Sequence, residues 1–145
     1  MTTPLFCTVK FTKLNPNAKT PTRAHESDAG NDLYALQGLI VPPGAIAFIP
    51  TGIAISLPPH TYGRVADRSS MSIKGWRVGA GVIDCSYTGE IAVVLQNMTQ
   101  DRMSILPGQK VAQLIVTPVY EVDLEEVGEL TSNARGTRGF GSSGS

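Results

Sequence analysis

The sequence predicts an all-β, single-domain fold, a β-barrel or jelly-roll-like sandwich of short strands. Fifteen Gly and ten Pro cut the chain into short apolar runs at close spacing, the pattern of strands joined by tight turns. No long stretch carries a helical period. A length of 145 residues suits one domain with a real core.

Strands are expected at Phe6 to Lys13, Asp32 to Leu36, Ala45 to Pro50, Ile53 to Leu57 and Tyr62 to Ala66. Further strands are expected at Val78 to Ile83, Glu90 to Asn97, Gln109 to Thr117 and Tyr120 to Leu124. The turn formers Pro42-Pro43-Gly44, Pro58-Pro59-His60 and Pro107-Gly108 separate them. One short helix is expected near Arg68, capped by Ser69 or Ser70 and ended by Gly75. From Thr131 onward, TSNARGTRGFGSSGS loses apolar periodicity and reads as a flexible arm, so the domain is expected over 1–130 and the arm over 131–145.

Composition narrows the function. Twelve basic residues balance twelve acidic ones, which gives no net field toward nucleic acid or an anionic membrane. Cys7 and Cys85 are far apart, form no CxxC and have only His25 and His60 as companions, so no structural zinc site is expected. The start lacks a long apolar region after a basic patch, and no run reaches the roughly 18 apolar residues of a membrane span. A soluble intracellular protein with two free thiols is the expectation. The sequon at Asn97-Met98-Thr99 then carries no meaning.

Five polar segments interrupt the strands: DAGNDL (Asp28 to Leu33), YGRVADRSSMS (Tyr62 to Ser72), GVIDCSYTGE (Gly81 to Glu90), GQKVAQLI (Gly108 to Ile115) and RGTRGFGSSG (Arg135 to Gly144). The third reads as strand, turn and strand, a β-hairpin presenting Asp84 and Tyr87 at one mouth, where a fixed carboxylate can orient and deprotonate a water. An aspartate that merely opens a turn is the plainer reading of Asp84 alone. Arg68, Ser69 and Ser70 offer a guanidinium fork, hydroxyls and helix-start amides suited to phosphate oxygens. Gln113 is an amide in an apolar strand and needs partners, internal or ligand. In the arm, Arg135, Phe140 and the glycines supply a cation, an aromatic face and close backbone approach.

In order and spacing these segments resemble the trimeric dUTPase family over nearly the whole chain. The resemblance implies hydrolysis of dUTP to dUMP and pyrophosphate, which keeps uracil out of DNA and supplies dUMP for dTMP synthesis. Asp84 would direct water onto the α-phosphorus. Tyr87 would lie under the deoxyribose and exclude a 2′-hydroxyl, while the backbone at Gly81 would pair with uracil. Arg68, Ser69 and Ser70 would contact the α- and β-phosphates, and Gln113 would contact phosphate. Phe140 would cover the base, and Arg135, Gly141, Ser142 and Ser143 would hold the γ-phosphate. Mg2+ is implied as cofactor, held mainly by the triphosphate, with Asp32 acting through water. A homotrimer is implied, each site drawing on three subunits, with neither nucleic acid nor membrane as a partner. The chain departs from the family's usual residues at Asn31, Asp67, Ser70, Met71, Ser86 and Arg138. Asp67 adds a negative charge near the phosphate segment, and Ser70 a side chain where the family has glycine. The related dCTP deaminases attack the base rather than phosphate, which GVIDCSYTG fits less well.

Overall fold

The computed structural model describes residues 6–141, and its elements are almost entirely antiparallel strands. In chain order they are β1 (Lys10–Lys13), β2 (Asn31–Tyr34), β3 (Leu39–Val41), β4 (Ile46–Ser56), β5 (Thr61–Ala66), α1 (Ser69–Ile73), β6 (Trp76–Gly79), β7 (Val82–Ile83), β8 (Glu90–Asn97), β9 (Met103–Ile105) and β10 (Lys110–Pro118). One sheet runs β1-β4-β8-β6, a second runs β2-β10-β5-β7, and β3 pairs with β9. The all-β expectation holds.

Strand β8 shows why the sheets face each other across a core. Its residues alternate, with Ile91, Val93, Leu95 and Asn97 buried and Ala92, Val94 and Gln96 less so. A period of two puts one set against the opposite sheet. Leu33 and Val111 from the second sheet, Ile49 and Ile53 from β4 and Ile105 from β9 fill the same interior. Each such side chain contributes roughly 1.5–3 kcal/mol by leaving water.

Several elements differ from expectation for local reasons. Ala45 to Pro50 and Ile53 to Leu57 are one strand, β4, whose pairing with β8 shifts register between Pro50 and Ala54. The bulge is held by Thr51, whose hydroxyl donates to the Ile91 carbonyl at 2.6 Å, and by the Glu90 carboxylate, which accepts from Gly52 N–H at 2.9 Å. Gly52 has φ +70°, a conformation that favours glycine. A bulge of this kind looks like a strand break in sequence. Conversely, Val78 to Ile83 is two strands. Ala80 (φ 57°) and Gly81 (φ 103°) turn the chain between them, so β6 joins β8 in one sheet and β7 joins β5 in the other.

That break also corrects the expected hairpin. β7 and β8 flank the turn at Asp84 but lie in different sheets, so the turn is a corner between layers. The pair β3 and β9 was not expected, because each is only three residues long. Tyr120 to Leu124, expected as a strand, is exposed and irregular, and Val119 N–H donating to the His60 carbonyl at 2.9 Å is the last backbone bond tying this end to the body among the described residues. Helix α1 is capped at Arg68 with no side-chain bond, so Ser69 and Ser70 are its first residues rather than its cap; Gly75, at φ 100°, follows its end as expected. Among the described residues no helix is long and apolar enough to cross a membrane.

Candidate active site

Two clefts in the chain gather most of the predicted residues, and they share no lining residue. The first, about 280 Å³, is walled by Gly79, Gly81, Asp84, Tyr87, Phe48 and Val94 among others, where β6, β7 and β8 meet. Asp84 stands exposed at the head of the corner turn, which closes through Tyr87 N–H donating to the Asp84 carbonyl at 3.0 Å. The Tyr87 hydroxyl donates to the Glu90 carbonyl at 2.7 Å, which anchors the ring beside the turn. Gly89 makes room for it: a Cβ there would lie 2.6 Å from the phenol oxygen. Gly81 is equally constrained, since a Cβ would sit 2.8 Å from the Val65 carbonyl oxygen. Its own carbonyl accepts from Val65 N–H at 2.7 Å, which holds the rim of the cleft against β5.

The second cleft, about 350 Å³, is polar and is lined by Asp28, Asp32, Arg68, Ser69, Ser70, Lys110 and Gln113 with Ala24, His25, Ala29 and Gly30. Asp32 organises it. Arg68 Nε donates to its Oδ1 at 2.9 Å, and Lys110 Nζ lies 3.5 Å from Oδ2. Arg68 Nη1 donates to the Ser70 hydroxyl at 3.1 Å, leaving further guanidinium N–H groups for a ligand. Gln113 Nε2 donates to the Asp67 carbonyl at 2.8 Å, so this amide ties β10 to the start of the helix. Its oxygen end presses on Gly30 so closely that any side chain at 30 would collide with it.

The departures at Asp67 and Ser70 are benign in this geometry. The Asp67 carboxylate turns away from the cleft and accepts from Val78 N–H at 2.7 Å. Ser70 sits inside α1 and is absent from the residues with positive φ, so its side chain brings no backbone strain. Lys110 was missed in sequence although it sits three residues before Gln113; its ion pair with Asp32 becomes visible only once β2 and β10 pair.

Arg135, Phe140 and Gly141 join neither cleft in the single chain, and Phe140 is wholly exposed. Ser142 and Ser143 lie outside the described residues. Among the described residues no three His, Cys, Asp or Glu side chains gather as a metal cage. Asp32 faces two cations and so fits no direct metal bond; a part in holding magnesium would run through the ion's own waters.

A cleft with a carboxylate and an aromatic ring, and a separate cleft with two cations, have the chemistry to take the base and the phosphates of a nucleotide. The sequence profile described as dUTPase matches residues 16–144. The chain is 44% identical over 136 residues to the deoxyuridine 5′-triphosphate nucleotidohydrolase of cowpox virus, covering 94% of this chain and 92% of that one. A point mutant of the Staphylococcus bacteriophage 80alpha dUTPase, solved with dUpNHpp, superposes with a TM-score of 0.88 at 28% identity, covering 95% of this chain and 99% of that one. The dUTPase of phage phi11 of S. aureus, in a mutant described as coordinating a structural Mg(II) ion, gives 0.82 at 26% identity, covering 87% and 100%. The chain belongs to the dUTPase family and is an enzyme of that family.

Proposed function

We propose that this chain hydrolyses dUTP to dUMP and pyrophosphate in a homotrimer whose sites are shared between subunits. The observation that carries the reading is the separation of the two clefts. A base-and-sugar cleft with its carboxylate, a phosphate cleft with Arg68 and Lys110, and an arm that joins neither make complete sites when copies assemble. The exposed Ile46 and Phe48 of β4 supply apolar surface for such assembly.

In the reaction, uracil meets the backbone at Gly81 and the deoxyribose lies on Tyr87, whose anchored ring leaves no room for a 2′-hydroxyl. Asp84 accepts a proton from water as the water oxygen bonds to the α-phosphorus and the bond to the bridging oxygen breaks in line. Arg68, Lys110, Ser69 and Ser70 of another subunit stabilise the charge that passes to pyrophosphate, with Gln113 holding the wall behind them. Asp32, through water, would help hold magnesium on the triphosphate, where the ion would supply positive charge against the phosphates. Arg135, Phe140, Gly141, Ser142 and Ser143 of a third subunit close over the γ-phosphate and base and exclude water. Inside the cell the products would keep uracil out of DNA and feed dTMP synthesis. The match to a protein solved with dUpNHpp supports the substrate.

The test is pyrophosphate release from dUTP beside UTP, dCTP and dTTP, with and without magnesium, for wild type and Asp84→Asn. Hydrolysis of dUTP alone, dependent on magnesium and abolished in the variant while nucleotide binding persists, is the expected result. An active Asp84→Asn variant removes Asp84 as the base.

A further inference from the structure

Asp67 lies between the end of β5 and the start of α1, and its carboxylate and its carbonyl bind to different sheets. β6 is the outermost strand of its sheet, and its Val78 N–H donates to Asp67 Oδ1 at 2.7 Å. The Asp67 carbonyl accepts from Gln113 Nε2 at 2.8 Å, and Gln113 belongs to β10 of the other sheet. One exposed residue thereby fastens the segment before the helix to both layers. Each end of this strut meets a cleft. Val78 precedes Gly79, a wall of the first, and the turn at Ala80 and Gly81 where the chain leaves β6. Asp67 precedes Arg68, which is extended at φ −96° and ψ 138° and whose Nε donates to Asp32 Oδ1 at 2.9 Å in the second.

We infer that Asp67 is a positioning residue for Arg68. By accepting from Val78 N–H, its side chain fixes the peptide that leads into Arg68 against β6, and so fixes where the guanidinium stands beside Asp32. The bond needs an acceptor oxygen rather than a charge, and an asparagine side chain supplies the same oxygen. Charge alone acts the other way, since a carboxylate one residue from Arg68 repels an anionic ligand. Without the acceptor, the edge N–H turns to water and Asp67 keeps only its tie to Gln113. Arg68 still bonds Asp32, but from a backbone free to shift, and a guanidinium that must be ordered as it meets phosphate binds it less well. The role in phosphate binding rests on the proposed dUTP hydrolysis; the strut between the sheets does not.

The experiment compares wild type, Asp67→Ala and Asp67→Asn by amide hydrogen exchange at Val78, read without nucleotide, and by steady-state dUTP hydrolysis. Exchange at Val78 should rise on the order of 10-fold in Asp67→Ala and stay near wild type in Asp67→Asn. In Asp67→Ala, kcat/KM for dUTP should fall on the order of 3- to 10-fold, the scale of one lost hydrogen bond, whereas Asp67→Asn should match or exceed wild type. Unchanged Val78 exchange in Asp67→Ala overturns the strut. Faster exchange with unaltered kcat/KM overturns the positioning role, because Arg68 would then be held by Asp32 alone. An Asp67→Asn variant as impaired as Asp67→Ala does so as well, since the charge rather than the acceptor would be what matters. A wild type without dUTP turnover overturns the reaction and with it the positioning role; the Val78 exchange tells that failure from failure of the strut.

Discussion

Asn97 shows how much one side chain can hold. It ends β8 fully buried, and its two amide N–H groups are shared among the carbonyls of Val41, Pro42 and Asp101 at 3.0, 3.2 and 2.7 Å. Its oxygen accepts from the Thr99 N–H at 2.9 Å and the Thr99 hydroxyl at 2.8 Å. Asn97→Ala strands the buried Val41 carbonyl and several part-buried groups together, so a loss of about 2–4 kcal/mol is expected, read as a fall of roughly 5–15 °C in the thermal midpoint. A fall under a degree or two would mean that water replaces the amide. In sequence Asn97 is only a strand end and a meaningless sequon, because a hub is defined by partners distant along the chain. The same limit hid Lys110 and the outward turn of Asp67. The placing of Asp84 and Tyr87 on one turn, and of Arg68 at the start of a short helix, was legible because it is local along the chain.

At the scale of elements, legibility depended on whether the pleat continued. β8 alternates without interruption, so its bounds at Glu90 and Asn97 could be placed from sequence. β4 contains Pro50, Thr51 and Gly52, which look like a turn yet form a bulge inside one strand. The stretch from Val78 to Ile83 is apolar throughout, yet it changes sheets at Ala80 and Gly81. That change carries the candidate site, since it sends β7 to β5 and leaves Asp84 at the corner between layers. Gly81→Ala meets two penalties: a positive φ, on the order of 1 kcal/mol, and a Cβ 2.8 Å from the Val65 carbonyl oxygen. The variant should lose about 2 kcal/mol or more in denaturant unfolding and most of its affinity for dUTP. Wild-type stability and affinity would show that the corner tolerates a side chain and that the β6–β7 break does not set the cleft.

For the whole molecule, the described chain beyond Val119 is exposed at all but Gly139 and adds no strand to either sheet. Val122 and Leu124 alternate with Glu121 and Asp123 there, an apolar edge facing water in the single chain. Assembly is the property least legible in a sequence, because no residue of one chain reveals which surface another copy covers. Removing the residues after Ser132 tests how the parts are divided. The core and both clefts draw nothing from that segment, so the truncated protein should keep its β-sheet circular dichroism, its thermal midpoint within a few degrees and the light-scattering mass of three chains. Its dUTP turnover should nevertheless fall at least 100-fold, since in the proposed reaction closure contributes both the γ-phosphate contacts and the exclusion of water, an effect on the order of 3 kcal/mol. Full turnover with an intact trimer would leave catalysis wholly to the two clefts and make the arm a tail. Loss of the trimer would instead make the segment part of the assembly, and the fall in activity would then follow from sites that no longer form.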